Sequence, residues 1–359
     1  TTFSVTATGT GITYQWQEDT GGGFVNLANG GVYSNVTTAT MSISNVLGKG
    51  GYRYRAVVSG TCAPAATSTS ATLTEQKNPV VSVPPSNSTI CESNNTTFSV
   101  TATGTGLTYQ WQESTGGPFA NVSNGGVYSG VTTSTLTLTG VTSGMTGNQY
   151  RVVITGTCAP TTSAAGTLTV NTLPVVTVNP TDVTVCEGTG TTFSVTATGT
   201  GITYQWQEDT GGGFVNLANG GVYSGVTTAS LNLAGIPLAS DGYRYRVVLS
   251  GTCLPGVASE AALLTVQQIP VISSQPLVQT ICEGEDVTFT VVASGTGLTY
   301  QWQENGVNIT NGGVHSGAAS ATLTLSNVPS SFTGRNYRVN ITGSCGPLSS
   351  AIVTLTVDR

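Results

Sequence analysis

The chain has 359 residues, of which 7% are charged, and a net charge of −6. Ten basic residues over that length cannot form a stripe that tracks phosphates, which argues against nucleic-acid binding. No apolar run is long enough to span a bilayer, and the β-branched residues and regularly spaced aromatics supply enough apolar surface to exclude a disordered chain.

The first run, TTFSV at residues 1–5, returns at 96 and 191 and as VTFTV at 287. YQWQE follows at 14–18 and again at 109–113, 204–208 and 300–304, and these copies hold all four tryptophans. GGVY ends at Tyr33, Tyr128 and Tyr223, and its fourth copy reads GGVH at His315. Tyr-Arg followed by Val or Ala occurs at Tyr54, Tyr150, Tyr245 and Tyr337, and residues 1–34 match 191–224 letter for letter. A fixed repeat of small-domain length predicts a tandem array, with units at 1–76, 79–170, 174–266 and 270–357. The first unit lacks the stretch NPVVSVPPSNSTICESNN that precedes Thr96 in the second, and is expected to lack its first strand. Both ends read as cuts through a longer array. Pro79, Pro174 and Pro270 open the later units after short linkers. Such linkers allow little swing, so an extended rod is expected.

Within the third unit, TTFSVTAT, ITYQWQE, FVNLA, ASLNLAGI, YRYRVVLS and EAALLTV alternate apolar and polar residues between Gly, Asn, Ser and Thr clusters. Period-two alternation with frequent turn signals predicts an antiparallel, all-β sandwich. No segment has helical periodicity. Trp16, Trp111, Trp206 and Trp302, with Tyr54, Tyr150, Tyr245 and Tyr337, then point inward as core anchors. Gln110, Gln112 and Arg151 point outward, as a solvated face or as a polar row able to meet carbohydrate.

Chemistry-bearing residues are sparse. His315 is the only histidine and replaces a tyrosine of the other copies. Glu18, Glu113, Glu208 and Glu304 follow each YQWQ and read as solvated strand ends, while Glu92, Glu187 and Glu283 belong to a tight turn after Cys. The aspartates are scattered and glycine pairs lack a strand-to-helix context. No catalytic residue, cofactor or metal site is expected, and the chain reads as a non-enzyme. Seven cysteines at repeated positions, none as Cys-x-x-Cys, predict disulfides in an oxidising, extracellular place.

The order VCEG, TTFSVTATG, YQWQ, a Leu-rich strand, DGYRYRV and SGTC resembles the immunoglobulin-like repeats of very large Bacteroidetes-type surface adhesins that leave by type nine secretion. The resemblance implies immunoglobulin-like sandwiches in a secreted, cell-surface protein of adhesion or gliding motility. The segment would be a stalk or fibre that spaces a distal binding region from the cell. Its partners would be neighbouring repeats of the same longer chain and surface polysaccharide or other cells. Two alternatives stand beside this: carbohydrate-binding accessory repeats of a secreted hydrolase, and a subunit of a self-assembling extracellular sheath or filament. Asp241 matches the corner aspartate of immunoglobulin domains, whereas Gly50, Thr146 and Thr333 stand there in the other units. The positions of the antibody inter-sheet disulfide are apolar, Ala197 and Val247 in the third unit and Ala102 and Val152 in the second.

Pairing cysteines within units would give Cys91–Cys158, Cys186–Cys253 and Cys282–Cys345, leaving Cys62 alone. An immunoglobulin-like topology places those partners at opposite ends of a domain, beyond the reach of a disulfide. It favours staples between neighbouring domains, Cys91–Cys253 and Cys186–Cys345. Cys62, Cys158 and Cys282 are then unpaired within the segment.

Overall fold

The computed structural model describes residues 1–359. The chain is β throughout apart from three short 3-10 turns, Ser143–Met145, Leu238–Ser240 and Ser330–Phe332. It divides into two compact units, Thr1–Val170 and Asn171–Arg359. Each unit holds two separate hydrophobic cores, so each contains two of the sequence repeats.

The second repeat shows the plan. Its opening strand Val80–Val83 pairs antiparallel with Thr101–Thr103. Pro84 and Pro85 follow, and proline, with no N–H to give a ladder, ends the pairing there. The chain then enters the other sheet as Ser88–Cys91, beside the closing strand Gly166–Asn171. That sheet continues through Gln149–Thr155 and the tryptophan strand Thr108–Ser114 to the short edge Ala120–Asn121. Facing it, Thr96–Ser99, Thr135–Leu138 and Tyr128–Ser129 form a three-stranded sheet. The tryptophan and Tyr-Arg strands run antiparallel with Trp111 opposite Val152 and Glu113 opposite Tyr150.

Side-chain alternation fills the space between the sheets. Phe98, Trp111, Leu136, Tyr150, Val152 and Ile154 are all buried, and the rings of Phe98 and Tyr150 lie 4.8 Å apart. The one polar atom of the indole is satisfied, because Trp111 Nε1 donates to the Thr133 carbonyl at 2.9 Å. Aromatic rings of this size bury roughly 150–250 Å² each, which at about 25 cal/mol/Å² stabilises the fold by at most about 4–6 kcal/mol per ring. Trp16, Trp206 and Trp302 donate in the same way to the carbonyls of Thr38, Thr228 and Ser320. Tyr54, Tyr245 and Tyr337 are as deeply buried as Tyr150.

The corner before the Tyr-Arg strand is built in three of the four repeats. Asp241 Oδ1 accepts from the Val266 amide at 2.7 Å. Thr146 Oγ1 and Thr333 Oγ1 accept from the amides of Val170 and Val357 at 2.8 and 2.9 Å. Threonine therefore does the work of the aspartate. In the first repeat, Gly50 leaves room for Glu75, whose Cβ lies 3.2 Å from where a Gly50 Cβ would stand. Glu75 holds the position occupied by Val170, Val266 and Val357 elsewhere, and its carboxylate accepts from the Gly48 amide.

Candidate functional site

Three recurring arrangements carry the polar chemistry of the chain. The first corrects a sequence expectation. The glutamate after YQWQ is not solvated. It lies two residues beyond the tryptophan on the same face of a period-two strand, at the rim of the core. Glu113 Oε1 accepts from Tyr128 at 2.6 Å, Tyr150 at 2.7 Å and Asn148 Nδ2 at 2.8 Å. Glu208 accepts from Tyr223 and from Tyr245 at 2.7 Å. Glu18 accepts from Tyr33 and, at 2.7 Å, from Tyr54, with the Lys49 ammonium beside it. In the fourth repeat Glu304 accepts from Tyr337 at 2.5 Å and from Arg335 Nη1 at 2.8 Å.

His315 takes the second tyrosine's place there, its Nε2 3.4 Å from Glu304 Oε1. That contact is an ion pair only when the ring is protonated, and Nε2 has no hydrogen-bond partner.

These clusters join the two sheets. Tyr128 and Tyr223 come from the three-stranded sheet, while Glu113, Glu208, Tyr150 and Tyr245 come from the other. They are polar cross-braces in domains without an inter-sheet disulfide. Burial first, then donation to the glutamate, pushes the Tyr128 and Tyr223 hydroxyls up to about 12. The same causes push Tyr54, Tyr150, Tyr245 and Tyr337 well above the ordinary phenol range. Burial works to raise the Glu18 carboxyl, but donation from Tyr33 and Tyr54 and the Lys49 charge outweigh it and lower it. A carboxylate filled with donors, beside phenols that stay protonated, is built to hold rather than to transfer a proton.

The second arrangement is the outward face. Gln112 accepts from Arg151 Nε at 2.9 Å and donates to Asn121 at 2.8 Å, and the Arg151 guanidinium lies 4.0 Å from the Phe119 ring centre. Gln17, Arg55, Asn26 and Phe24 repeat this in the first repeat, as do Gln207, Arg246, Asn216 and Phe214 in the third. The fourth keeps Gln303, Arg338 and Asn308. The expected Gln/Arg row is shorter than the alternation implies. Gln110 folds back, its amide donating to the carbonyls of Trp111 and Val122 at 2.9 Å, and so completes the edge rather than facing a ligand.

The third arrangement is the junction between successive repeats within a unit. In the second unit the Gln268 amide donates to Thr296 Oγ1 at 2.9 Å, and the Ile269 amide donates to Glu187 at 3.0 Å. The Ser344 and Gln268 segments are tied through Thr296. A Cys186–Cys345 disulfide, with Cα atoms 5.7 Å apart, links the third repeat to the fourth. The first unit has the matching hydrogen bond from the Lys77 amide to Thr105 Oγ1 at 3.0 Å, and one of its own from Thr157 Oγ1 to Gln76 Oε1 at 2.7 Å. It has no staple, and Cys158 is a free thiol, as are Cys62 and Cys282. Cys91 is held in a disulfide, and so is Cys253. No group of three or more His, Cys, Asp and Glu side chains converges to hold a metal ion.

Two titin structures share this architecture. The I-band fragment I67-I69 from titin superposes over 80% of this chain and 100% of that one, with a TM-score of 0.60 and 18% identity. An E-to-A variant of the same three domains covers 79% and 99%, with the same score and identity. The repeats are immunoglobulin-like domains. Residues 82–172 and 273–359 also match a family described as a domain of unknown function (DUF8696). Among curated proteins, Endoglucanase C of Cellulomonas fimi is 36% identical over 105 residues. That match takes in 29% of this chain and spans only 9% of the endoglucanase.

Proposed function

We propose that this chain is a load-bearing spacer, the stalk or fibre segment of a secreted cell-surface adhesin, divided into the four repeats at 1–76, 79–170, 174–266 and 270–357. The observation that carries this reading is the stapled junction of the second unit. A covalent bond and a set of main-chain hydrogen bonds both act on the linker around Pro270, where a hinge would bend. A catalytic or ligand-gated array gains nothing from locking that hinge, whereas a spacer gains reach. Single-molecule pulling on the chain tests it. Oxidised chains are expected to resist extension at the second unit's junction until a domain unfolds, and reduced chains to yield there first. Equal traces in both states would remove the reading.

A second reading, accessory repeats of a secreted hydrolase that bind polysaccharide, is supported by the partial likeness to Endoglucanase C. The Arg-on-Phe platforms of Arg55, Arg151 and Arg246 are the surfaces such binding would use. Retention on insoluble cellulose or xylan that is lost in an Arg55→Ala, Arg151→Ala, Arg246→Ala chain would favour it over the spacer.

A further inference from the structure

Five Asn-Gly bonds lie in the chain, at Asn29, Asn124, Asn219, Asn305 and Asn311. In this dipeptide a main-chain nitrogen can readily reach the side-chain carboxamide before it, because glycine has no Cβ to obstruct the approach. All five pairs are exposed, so exposure does not rank them. The carboxamide does not rank them either, since its oxygen accepts from a main-chain amide in every case. The distances are 3.1 Å from Val36, 3.2 Å from Val131, 3.1 Å from Val226 and 2.8 Å from Ala318. For Asn305 the donor is the Asn336 amide at 3.0 Å.

The glycine nitrogen separates them. In the four Asn-Gly-Gly turns, the amides of Gly30, Gly125, Gly220 and Gly312 donate to the carbonyls of Tyr33, Tyr128, Tyr223 and His315 at 2.9–3.0 Å. Such a nitrogen must give up that bond before it can lose its proton or turn toward the neighbouring side chain. The Gly306 amide has no hydrogen-bond partner. A Cβ placed on Gly306 would meet nothing within 4 Å, so the ground around it is open to water.

The cause is the length of the bend. In the fourth repeat the tryptophan strand Thr299–Glu304 returns at once as the edge strand Val307–Asn308, with Glu304 opposite Val307. Two residues remain for the turn, and Asn305 and Gly306 both take positive φ, 48° and 82°, as the tightest hairpins demand. The first and third repeats join the same strands by longer loops without asparagine. There the Asp19 and Asp209 carboxylates gather the glycine amides that follow them.

We propose that Asn305 is a self-modification site, where the Gly306 nitrogen displaces ammonia from the Asn305 carboxamide and the product loosens the edge strand. Hydroxide takes the Gly306 proton, the nitrogen bonds to Cγ, and the bond from Cγ to the carboxamide nitrogen breaks. Ammonia leaves with that electron pair and a proton from water, and a succinimide ring remains. Water then opens the ring. Attack at Cγ gives aspartate, and attack at the main-chain carbonyl gives isoaspartate, with one more carbon in the backbone. Aspartate only adds a negative charge at the tip. Isoaspartate also lengthens a two-residue bend, which strains the ladder beside it, including the bond from the Ile309 amide to the Trp302 carbonyl at 2.9 Å.

Incubation of the full chain in mildly alkaline buffer, followed by peptide mapping, tests this. Asn305 is expected to convert at least tenfold faster than Asn29, Asn124, Asn219 or Asn311. In chains held unfolded by denaturant the five are expected to convert at comparable rates, because the ranking belongs to the fold. Hydrogen exchange at the Ile309 amide is expected to quicken at least tenfold in the isoaspartate fraction. An Asn305→Asp chain, which has the charge without the extra carbon, is expected to exchange there as the parent does. Even conversion across the five sites of the folded chain, or faster conversion in any Asn-Gly-Gly turn, would overturn the proposal. So would Ile309 exchange that isoaspartate leaves unchanged.

Discussion

The first and third repeats begin with the same 34 residues, yet those residues do not have the same surroundings. Phe193 is 1% exposed and Val195 6%, whereas Phe3 and Val5 are only half-buried. Seven residues form the buried core of the first repeat, against thirteen in the third. The difference is the strand pair Val175–Val178 and Val183–Cys186, which closes the third sandwich on both sheets. Identical letters set the alternation and the strand; only a neighbour laid over them makes a core position dry.

The largest expected effect sharpens that contrast. Phe193→Ala should destabilise the third repeat by about 3–5 kcal/mol. Phe3→Ala, in identical local sequence, should cost less than half as much because its ring keeps contact with water. Hydrogen exchange at the amides of Trp16 and Trp206 reports each repeat separately, and equal losses would break the comparison.

The junctions come next. The Cys186–Cys345 staple closes a sequence separation of 159 residues, and such bonds contribute about 2–4 kcal/mol. Reduction is expected to speed exchange at the Ile269 and Ser344 amides by tenfold or more. The Thr157 amide of the unstapled junction should not respond.

A smaller effect tests the cross-brace. Glu208→Gln leaves two buried hydroxyls competing for one neutral amide, at a cost of about 1–3 kcal/mol. Glu304→Gln should behave differently, since Arg335 loses its carboxylate as well. A denaturation series in which Glu208→Gln is neutral would show that the brace is incidental.

The smallest effect is the response to pH. Folded tyrosines that are raised above the unfolded phenol, which ionises near 10, contribute stability that is full below about pH 10. That stability is lost as pH rises through the folded values, about 12 for Tyr128 and Tyr223. Glu18 has the opposite sign. Its lowered carboxyl contributes stability above its unfolded value, and the contribution falls away as pH drops below it. Phenolate absorbance is expected to rise late, and in step with loss of structure, in repeats two and three. A full rise near pH 10 with the fold intact would contradict the burial of those hydroxyls.

Much of this was legible in the chain itself. The YQWQE and Tyr-Arg runs specify two neighbouring strands, and their alternation alone sets Trp111 and Tyr150 inward. The same alternation also carried the signal for Glu113, two residues past the tryptophan on the inward face. Reading a charged residue at a strand end as solvated hid it, because its donors come from elsewhere in the chain, Tyr128 from another strand and Asn148 from the loop before the Tyr-Arg strand. Thr146 and Thr333 were hidden for a like reason. Nothing local says that a threonine hydroxyl meets the amide of a residue on the closing strand.

What the sequence determined by itself is what depends on period and spacing: β-strands, their faces, the repeat length and the prolines that open each later repeat. What the tertiary structure decided is what depends on meeting across distance. It brought the Glu113 carboxylate to hydroxyls on two sheets and Cys186 to a cysteine one repeat on. Period-two alternation is enforced by backbone geometry at every residue, so it can be read locally. A hydrogen bond, a disulfide or a filled groove exists only when two remote segments arrive together, and no short stretch of letters records both.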